Sequence, residues 1–397
     1  MSSAAPDPRI ILGIDATNLR VGGGKHYIIS LLRHAEPFLS DVSAVVVWAP
    51  MITLDALPDV PWLKRRHLPV FERSFWKRGI WQWMKLPADA RREGCHLLFV
   101  PGGLAPGRFR RKVVLFQNLL PFDDSADLSE FSFGLRTRVR LLRWLYRLSL
   151  TDASGIIFLA PHAQSTILKT TGHQHVPQAV IPHGLEDRFR RTNTISLGVG
   201  DKDSSGIIRI LYASAIDLYK HPWHVVASVA MLRAATGWPL QLILAGPAAG
   251  RALPRLEASI KQYDPTGAFV QYIGEVPHDA MPDLYASADL AVFASTCENL
   301  PMIILEQMAI GLPIACSDHP AMRGLLGEDA EWFEATKPES IADAIRRMIE
   351  DPVLCAERVA RNQTKADLYQ WPDVARETFA FLSEMATRSL LTNAKSS

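Results

Sequence analysis

Cysteine is scarce in this sequence, and its few residues are scattered. The four cysteines form no CxxC pair and have no histidine at zinc-ligand spacing: Cys95, Cys297, Cys316 and Cys355. Neither a disulfide framework nor a structural zinc site is therefore expected. Reduced thiols are the rule in the cytoplasm, and we expect a cytoplasmic protein.

The sequence also lacks long apolar runs and the common glycine-rich nucleotide signatures. No uninterrupted apolar stretch approaches the roughly 18 residues of a membrane span, and the N-terminal MSSAAPDPRI does not resemble a signal peptide. Neither GxGxxG nor GxxxxGK[ST] occurs, which disfavours nicotinamide cofactors and P-loop nucleotide hydrolysis. We therefore expect neither secretion nor integration into a membrane.

The length and composition predict a globular protein of two domains. The 397 residues exceed what one core usually serves, while 48% hydrophobic and 21% charged residues are ordinary values for a folded protein. The polar segment RTNTISLGVGDKDSSG at 191–206 predicts a linker. We expect an N-terminal domain over 1–190 and a second domain over 207–371. A helix within 372–397 is expected to pack back on the N-terminal domain.

Short apolar runs alternate with helical patterns in both halves. The runs are Ile10–Asp15, Ala44–Trp48, His96–Val100, Val113–Phe116, Gly155–Leu159, Ala179–Ile181, Ile208–Ala213, Leu240–Ala245, Val270–Ile273, Leu290–Ala294 and Pro313–Cys316. Such alternation predicts an α/β fold of two Rossmann-like, doubly wound domains with mainly parallel sheets. Ligands bind at the carboxyl edge of such sheets, so we expect a site in a cleft between the domains.

A well-delimited helix follows the run at 290–294. Pro301 suits its first turn, and Gly311 suits its end. The free N–H groups at its start predict an anion site, with Glu298 just before it. Glu306, about a turn and a half further on, can accept hydrogen bonds from vicinal hydroxyls such as those of ribose. The alternative from spacing alone is a capped helix with two incidental glutamates.

The stretch ENLPMIILEQMAIGLPIACS, from Glu298 to Ser317, resembles the Glu-x7-Glu motif of the family 4 glycosyltransferases, and the similarity extends along most of the chain. The resemblance implies the GT-B fold and transfer with retention. It also implies that Glu298 contacts the donor sugar and that Glu306 binds the ribose. The backbone that would hold the sugar and diphosphate runs through Leu300, Pro301, Met302 and Ile303.

Three further segments of the second half resemble the donor site of this family. Lys220 matches the phosphate-binding lysine, a suitable counter-charge for a pyrophosphate, whereas Ala215 stands where the family has an arginine. Gly246 and Val276 follow strands at the same predicted edge and resemble nucleotide-lining positions. A lone lysine in a loop is otherwise usually a solvated charge, and most glycines after strands are turn residues.

The first half resembles the family at two loops. Gly23 and Gly24 lie in a glycine loop after the first strand, and the resemblance places them near the donor phosphates or the acceptor. Gln117 and Asn118 stand where many relatives have histidine and aspartate. An amide orients a sugar hydroxyl but does not act as a general base. Since the resemblance implies that the departing phosphate assists deprotonation, we interpret the change as altered sugar positioning.

The first half is basic and contains tryptophan-rich stretches. Residues 1–190 hold 25 Lys and Arg against 16 Asp and Glu, whereas residues 191–397 hold 18 against 25. Arg136, Arg140, Arg143 and Arg147 form a helical stripe, and 62–85 mixes Lys and Arg with Trp76, Trp81 and Trp83. This pattern favours peripheral contact with an anionic membrane and a lipid-phosphate acceptor. The alternative is a solvated surface helix; nucleic acid is disfavoured because no binding motif accompanies the charge.

Together these features predict a hexosyltransferase of bacterial envelope polysaccharide or lipopolysaccharide synthesis. A UDP- or GDP-sugar, of mannose, rhamnose or glucose type, would donate to a hydroxyl of a glycan or lipid-linked acceptor at the inner face of the plasma membrane. No cofactor besides this donor is expected. No metal is expected either, because the acidic pairs Asp123-Asp124 and Asp201-x-Asp203 do not lie at strand ends, where they could hold a metal ion bound to a diphosphate. A catalytically inactive binding subunit is the alternative, and an epimerase is disfavoured.

Overall fold

The computed structural model describes residues 10–20, 22–105, 109, 111–123, 133–190, 206–248 and 250–394. Apart from Gly206, the predicted linker lies outside these ranges, as do Asp124, Asp201 and Asp203. The chain divides into two compact units. The first consists of Met1–Phe122, Gly134–Gly184 and Gln370–Ser397, and the second of Asp123–Phe133 and Leu185–Tyr369.

The described strands are short and mostly apolar. They are β1 Ile10–Asp15, β2 Val42–Trp48, β3 Leu63–Arg66, β4 Leu97–Val100, β5 Lys112–Phe116, β6 Ala153–Phe158, β7 Gln178–Val180, β8 Ile208–Ala213, β9 Leu240–Ala245, β10 Val270–Tyr272, β11 Leu290–Phe293, β12 Ile314–Ser317 and β13 Glu331–Phe333. Nearly continuous burial along β4, β5, β11 and β12 is typical of parallel strands that are covered on both faces.

Helices alternate with these strands. They are α1 Gly22–Arg33, α2 Met51–Leu54, α3 Phe75–Met84, α4 Leu86–Arg92, α5 Phe133–Thr151, α6 Pro161–Thr171, α7 Pro222–Thr236, α8 Ala252–Tyr263, α9 Met281–Ser287, α10 Met302–Ile310, α11 Pro320–Leu326, α12 Pro338–Glu350, α13 Pro352–Ala366 and α14 Trp371–Ala394. Among the described residues, none of the helices combines the length and the apolar character that crossing a membrane requires.

The sheet of the first unit has seven parallel strands in the order β3-β2-β1-β4-β5-β6-β7. The order reverses between β1 and β4, so the loops that follow these two strands diverge and leave a crevice at the carboxyl edge. This unit has two apolar clusters that pack against the sheet. One contains Phe116 and Phe158, and the other contains Trp48 and Phe71. Gly22 to Gly24, which follow β1, lie beside the point where the strand order of this sheet reverses.

The sheet of the second unit has six parallel strands in the order β10-β9-β8-β11-β12-β13. Here the order reverses between β8 and β11. One apolar cluster includes residues of α7, α8 and α12, and another includes residues of α9, α10 and α11. The loops after β8 and β11 are those that carry Lys220 and Glu298.

The prediction of two parallel, doubly wound α/β sheets is confirmed by these topologies. The division of the chain differs in detail from the expected boundaries, since Leu185 to Arg190 belong to the second unit. The last helix, α14, belongs to the first unit and packs against α1, β4 and β6. At its start Trp371 lies directly against Gly184, where no side chain would fit.

Candidate functional site

The loop after β8 positions Lys220. The Asp217 carboxylate accepts a hydrogen bond of 2.7 Å from the Leu218 N–H and starts a short 3-10 turn over Leu218–Lys220. His221 then takes a left-handed conformation with φ 48° and leads into α7. This turn reverses the chain immediately after the strand. Lys220 is thereby held at the switch point with its side chain mostly buried.

The loop after β11 is fixed from two sides. On one side the Ser317 hydroxyl, at the end of β12, donates to the Ser295 carbonyl at 2.6 Å and accepts from the Ser295 N–H at 3.1 Å. On the other side the Thr296 N–H donates to the Tyr219 carbonyl at 2.9 Å. The loops after β8 and β11 are therefore bonded directly to each other.

Lys220 and Glu298 meet at this junction. The Lys220 Nζ donates to Glu298 Oε1, and the side chains are 10% and 12% exposed. The ammonium also lies 4.8 Å from the centre of the Phe293 ring, which adds an attraction to the ring face. Burial raises the pKa of Tyr219, and the nearby Asp217 and Glu298 raise it further. A buried cation beside a carboxylate is thus available at the carboxyl edge of the sheet.

Helix α10 begins one residue later than the sequence predicts. Pro301 lies outside the first turn, in an extended conformation with φ −76° and ψ 95°, and its carbonyl accepts from the Ile304 N–H at 3.0 Å. A proline before the first turn forces the chain to enter the helix from an extended segment. The N–H groups of Met302 and Ile303 consequently point out of the helix end. Gly311 ends the helix in the left-handed conformation, as predicted.

Glu306 is held by two side chains that the sequence analysis did not single out. The Tyr285 hydroxyl donates to Glu306 Oε2 at 2.8 Å, and His278 Nε2 lies 3.1 Å from Glu306 Oε1. The hydrogen bond to Glu306 raises the pKa of His278, and Glu186 raises it further. Burial beside this carboxylate raises the pKa of Tyr285 well above its usual value. Each carboxylate oxygen has a second lone pair, so the group retains capacity for two hydroxyls.

Gly246 lies where the loops after β8 and β9 are in close contact. Its φ is 144°, and a β-carbon at this position would overlap the carbonyl oxygen of Ser214. The Gly246 N–H donates to the Gly274 carbonyl at 2.7 Å, and the Tyr272 hydroxyl donates to the Gly246 carbonyl at 2.9 Å. Glycine is therefore required by the backbone itself. Val276 packs half-buried against the apolar cluster that contains α10.

In the first unit, Gly24 and Gln117 are brought together. Helix α1 begins at Gly22, so Gly23 and Gly24 lie in its first turn and not in the expected glycine loop. A β-carbon at Gly24 would lie 3.0 Å from Gln117 Oε1 and 2.9 Å from Leu19 Cδ2. Asn118 is exposed, and its Oδ1 accepts from the Leu120 N–H at 3.1 Å. Its side chain therefore shapes the turn after β5.

Asp15 is a further polar residue at this edge that sequence reasoning missed. It ends β1, is buried, and accepts hydrogen bonds of 2.7 Å from both the Thr17 hydroxyl and Gln82 Nε2. Burial raises the pKa of its carboxyl group. A carboxylate at the last position of an apolar strand was the available signal. The sequence carries no such signal for Tyr285 and His278, because their contacts with Glu306 depend on how the helices pack.

Solved structures of low sequence identity share this architecture. Sucrose-phosphate synthase from Thermosynechococcus elongatus has a TM-score of 0.72 at 16% identity, covering 97% of this chain and 100% of that one. Anabaena HepE, solved in complex with UDP and glucose, has a TM-score of 0.68 at 20% identity, covering 94% and 99%. Together with the two parallel sheets, these likenesses show the fold: the chain has the GT-B fold.

The family match lies in the second half of the chain. Residues 203–366 match the family described as "Glycosyl transferases group 1", which agrees with the resemblance to family 4 enzymes. A GDP-mannose-dependent alpha-(1-6)-phosphatidylinositol dimannoside mannosyltransferase of Mycobacterium tuberculosis is 28% identical over 180 residues. That match covers 45% of each chain, so it spans less than half of the relative's length.

Proposed function

We propose that this protein transfers a hexose, with retention, from a UDP- or GDP-sugar to a hydroxyl of a glycan or lipid-linked acceptor. The observation that carries the proposal is the buried Lys220–Glu298 pair at the switch point of the second sheet. Such a pair offers a cation for a diphosphate and a carboxylate for sugar hydroxyls within one site. The place of action would be the inner face of the plasma membrane.

Negative charge on the leaving diphosphate is the main demand of this reaction. Lys220 would turn from Glu298 to the phosphate oxygens, and the N–H groups of Met302 and Ile303 would add donors at the positive end of α10. The backbone of Leu300 and Pro301 would line the sugar and diphosphate. Released from Lys220, Glu298 would accept hydrogen bonds from the sugar. The bond from the anomeric carbon to the phosphate oxygen breaks, the electron pair leaves with the diphosphate, and the acceptor oxygen forms a bond to the same face of the anomeric carbon.

The nucleoside would occupy the other side of the same edge. Glu306, oriented by Tyr285 and His278, would accept both ribose hydroxyls, while Gly246 lets the backbone approach and Val276 contacts the base. In the first unit, Gly23 and Gly24 would line the phosphates or acceptor, and Gln117 and Asn118 would orient a sugar hydroxyl. Because an amide is no base near neutral pH, the departing phosphate would accept the acceptor's proton.

The role of Glu298 is tested by nucleotide release from GDP-mannose, UDP-glucose and related donors, with acceptor present. Glu298→Gln and Lys220→Ala should each lower turnover by about a hundredfold or more, the usual cost of removing one group that stabilises the transition state. The matched control is Glu357→Gln, which changes an exposed glutamate of α13. Unchanged turnover in Glu298→Gln would refute the assigned role.

Metal independence and retention have separate readouts. Because Lys220 and helix N–H groups supply the positive charge, turnover should survive a chelator of divalent cations. NMR of the product should show the donor's anomeric configuration. A chelator-sensitive rate restored by added Mg²⁺, or an inverted product, would contradict these parts of the proposal.

One observation favours a second candidate function, a subunit that binds sugar nucleotides without transfer. Ala215 stands where the family has an arginine, so Lys220 is the remaining cation of that loop. In this case the protein would bind UDP or GDP, but neither donor turnover nor product would appear with any acceptor. Glu298→Gln would then leave every measured rate unchanged.

A further inference from the structure

An apolar cavity lies between α3 and α5 of the first unit. It has a volume of about 390 Å³ and is lined by Trp76, Ile80, Trp83, Trp144 and Leu148, among others. Trp76 is 64% exposed, and Trp83 and Trp144 are each more than half exposed. Large apolar side chains gathered at a surface mark an interaction site. Walls of this kind select an apolar ligand.

The two helices that bound the cavity carry charge of one sign. Helices α3 and α5 together carry seven Lys and Arg residues and no Asp or Glu: Lys77, Arg78, Arg136, Arg138, Arg140, Arg143 and Arg147. Such a surface attracts anions, and a mixture of tryptophan with arginine is typical of proteins that sit at a lipid headgroup layer. The ligand that complements both features is a hydrocarbon chain with an anionic head.

The cavity adjoins the carboxyl edge of the first sheet. Gln82, which lines it, donates to the Asp15 carboxylate at the end of β1 and accepts from Asn18 Nδ2 at 3.3 Å. Arg78, on the same helix, donates to Asn18 Oδ1 at 3.1 Å. The polar side of α3 is thus bonded to the segment that leads from β1 into the first turn of α1. A ligand in the cavity would lie beside the loops expected to receive the acceptor.

We infer that this cavity binds the hydrocarbon chain of a phosphate-bearing lipid, with the cations of α3 and α5 meeting its head. The inference rests on the proposed function for one point only, that the lipid is the acceptor. Binding of the lipid itself is inferred from the apolar cavity and the basic residues of α3 and α5. Each methylene taken out of water adds roughly a fourfold factor to affinity, so a cavity of this size contributes strongly to choosing a lipid-linked acceptor.

Gly79 permits a test that does not disturb the fold. It lines the cavity in the middle of α3, and a β-carbon there meets nothing within 4 Å. The change Gly79→Leu fills the cavity with the side chain and replaces glycine by a better helix former. The matched control is Gly324→Leu, at an exposed position of α11 in the second unit where a β-carbon also meets nothing within 4 Å. Thermal unfolding of both variants checks that they fold.

The probe is dodecyl phosphate, with and without bromine at the end of its chain. Bromine quenches tryptophan fluorescence on contact, so binding to the wild type should give quenching only with the brominated chain. In Gly79→Leu the affinity should fall at least about tenfold, as expected from the loss of a few buried methylenes, whereas Gly324→Leu should match the wild type. Absence of quenching in the wild type, or equal quenching in Gly79→Leu, would overturn the inference.

Vesicles of phosphatidylcholine with and without phosphatidylglycerol separate chain binding from surface charge. If Gly79→Leu binds anionic vesicles as well as the wild type does, contact is through charge alone and the inference is overturned. Binding of a protein partner in the cavity, with no binding of lipid, would also overturn it. Donor turnover with a short acceptor lacking a lipid chain is measured in parallel. If neither the wild type nor any variant turns over a donor, while Gly79→Leu no longer binds dodecyl phosphate, the proposed function is wrong and lipid binding by the cavity is supported.

Discussion

Glu306 illustrates how a single carboxylate is prepared for a ligand. It is buried, yet both of its oxygens are hydrogen-bonded by side chains from other elements, Tyr285 on α9 and His278 before it. A buried carboxylate without such partners would be costly. The two partners also fix its orientation, so little freedom is lost when two hydroxyls bind.

Replacement of Glu306 should therefore weaken nucleoside diphosphate binding through the ribose. Glu306→Gln replaces one acceptor oxygen by a donor, and we expect about a tenfold higher Kd, or roughly 1.4 kcal/mol. Tyr285→Phe, which keeps the carboxylate but removes one of its partners, should have a smaller effect. Calorimetric titration with UDP and GDP measures both variants.

The ribose assignment has its own control in the ligand. Nucleoside diphosphates without the 2′ and 3′ hydroxyls should bind the wild type more weakly, while Glu306→Gln should barely distinguish them from UDP and GDP. If the variant discriminates between the two ligands as strongly as the wild type does, Glu306 does not contact the ribose.

At the scale of elements, the loops after β8 and β9 touch at Gly246. Gly246→Ala would push the β-carbon into the Ser214 carbonyl and separate the two loops. We expect a loss of stability of roughly 2 to 3 kcal/mol, since backbone strain and a steric clash combine, together with weakened nucleotide binding. Urea unfolding and UDP or GDP titration measure the two effects.

Gly250→Ala is the control for Gly246→Ala. Gly250 also has a positive φ, of 61°, but its β-carbon would meet nothing within 4 Å. It should therefore show only the conformational cost, about 1 kcal/mol, and bind nucleotide normally. Equal behaviour of the two variants would mean that the close approach of the loops is unimportant.

The sequence predicted the apolar strands well and the polar strands poorly. The bounds of β1, β8 and β9 agree at both ends, because most residues of each strand are apolar and buried. Strand β3, Leu63–Arg66, was missed because three of its four residues are basic and exposed. Charged edge strands are protected against unwanted pairing, and this removes the apolar pattern. The three-residue strand β13 was missed for want of length.

Within the site, spacing predicted α10 and its two glutamates but not their contacts. Lys220 and Glu298 are 78 positions apart, and they meet because β8 and β11 are neighbours in the sheet. Only the family resemblance suggested that these residues act together. The histidine and tyrosine that hold Glu306 were not predictable, since local patterns carry no information on which side chains meet between elements.

At the scale of the whole molecule, two buried histidines make stability depend on pH. Burial lowers the pKa of His183 in the first unit to about 4; it also lowers that of His221 in the second to about 4, aided by His224 and Arg255. Their folded pKa lies below the unfolded value of about 6.5. Each contribution to stability is therefore present above that value and lost as the pH falls toward 4. His278 acts oppositely, because pairing with Glu306 raises its pKa and favours the folded state at low pH.

We therefore expect the first unit to lose stability as the pH falls from about 7 to about 5, with His183 contributing about 2 kcal/mol. This residue packs among Tyr27 and Trp371, so its protonation places a charge between α1 and the start of α14. His183→Gln should flatten the dependence of the unfolding temperature on pH, even if it lowers that temperature at neutral pH. His175→Gln, at an exposed position, should keep the wild-type slope. Calorimetric scans across this range measure the slopes, and an unchanged slope in His183→Gln would show that this histidine is not the group that titrates.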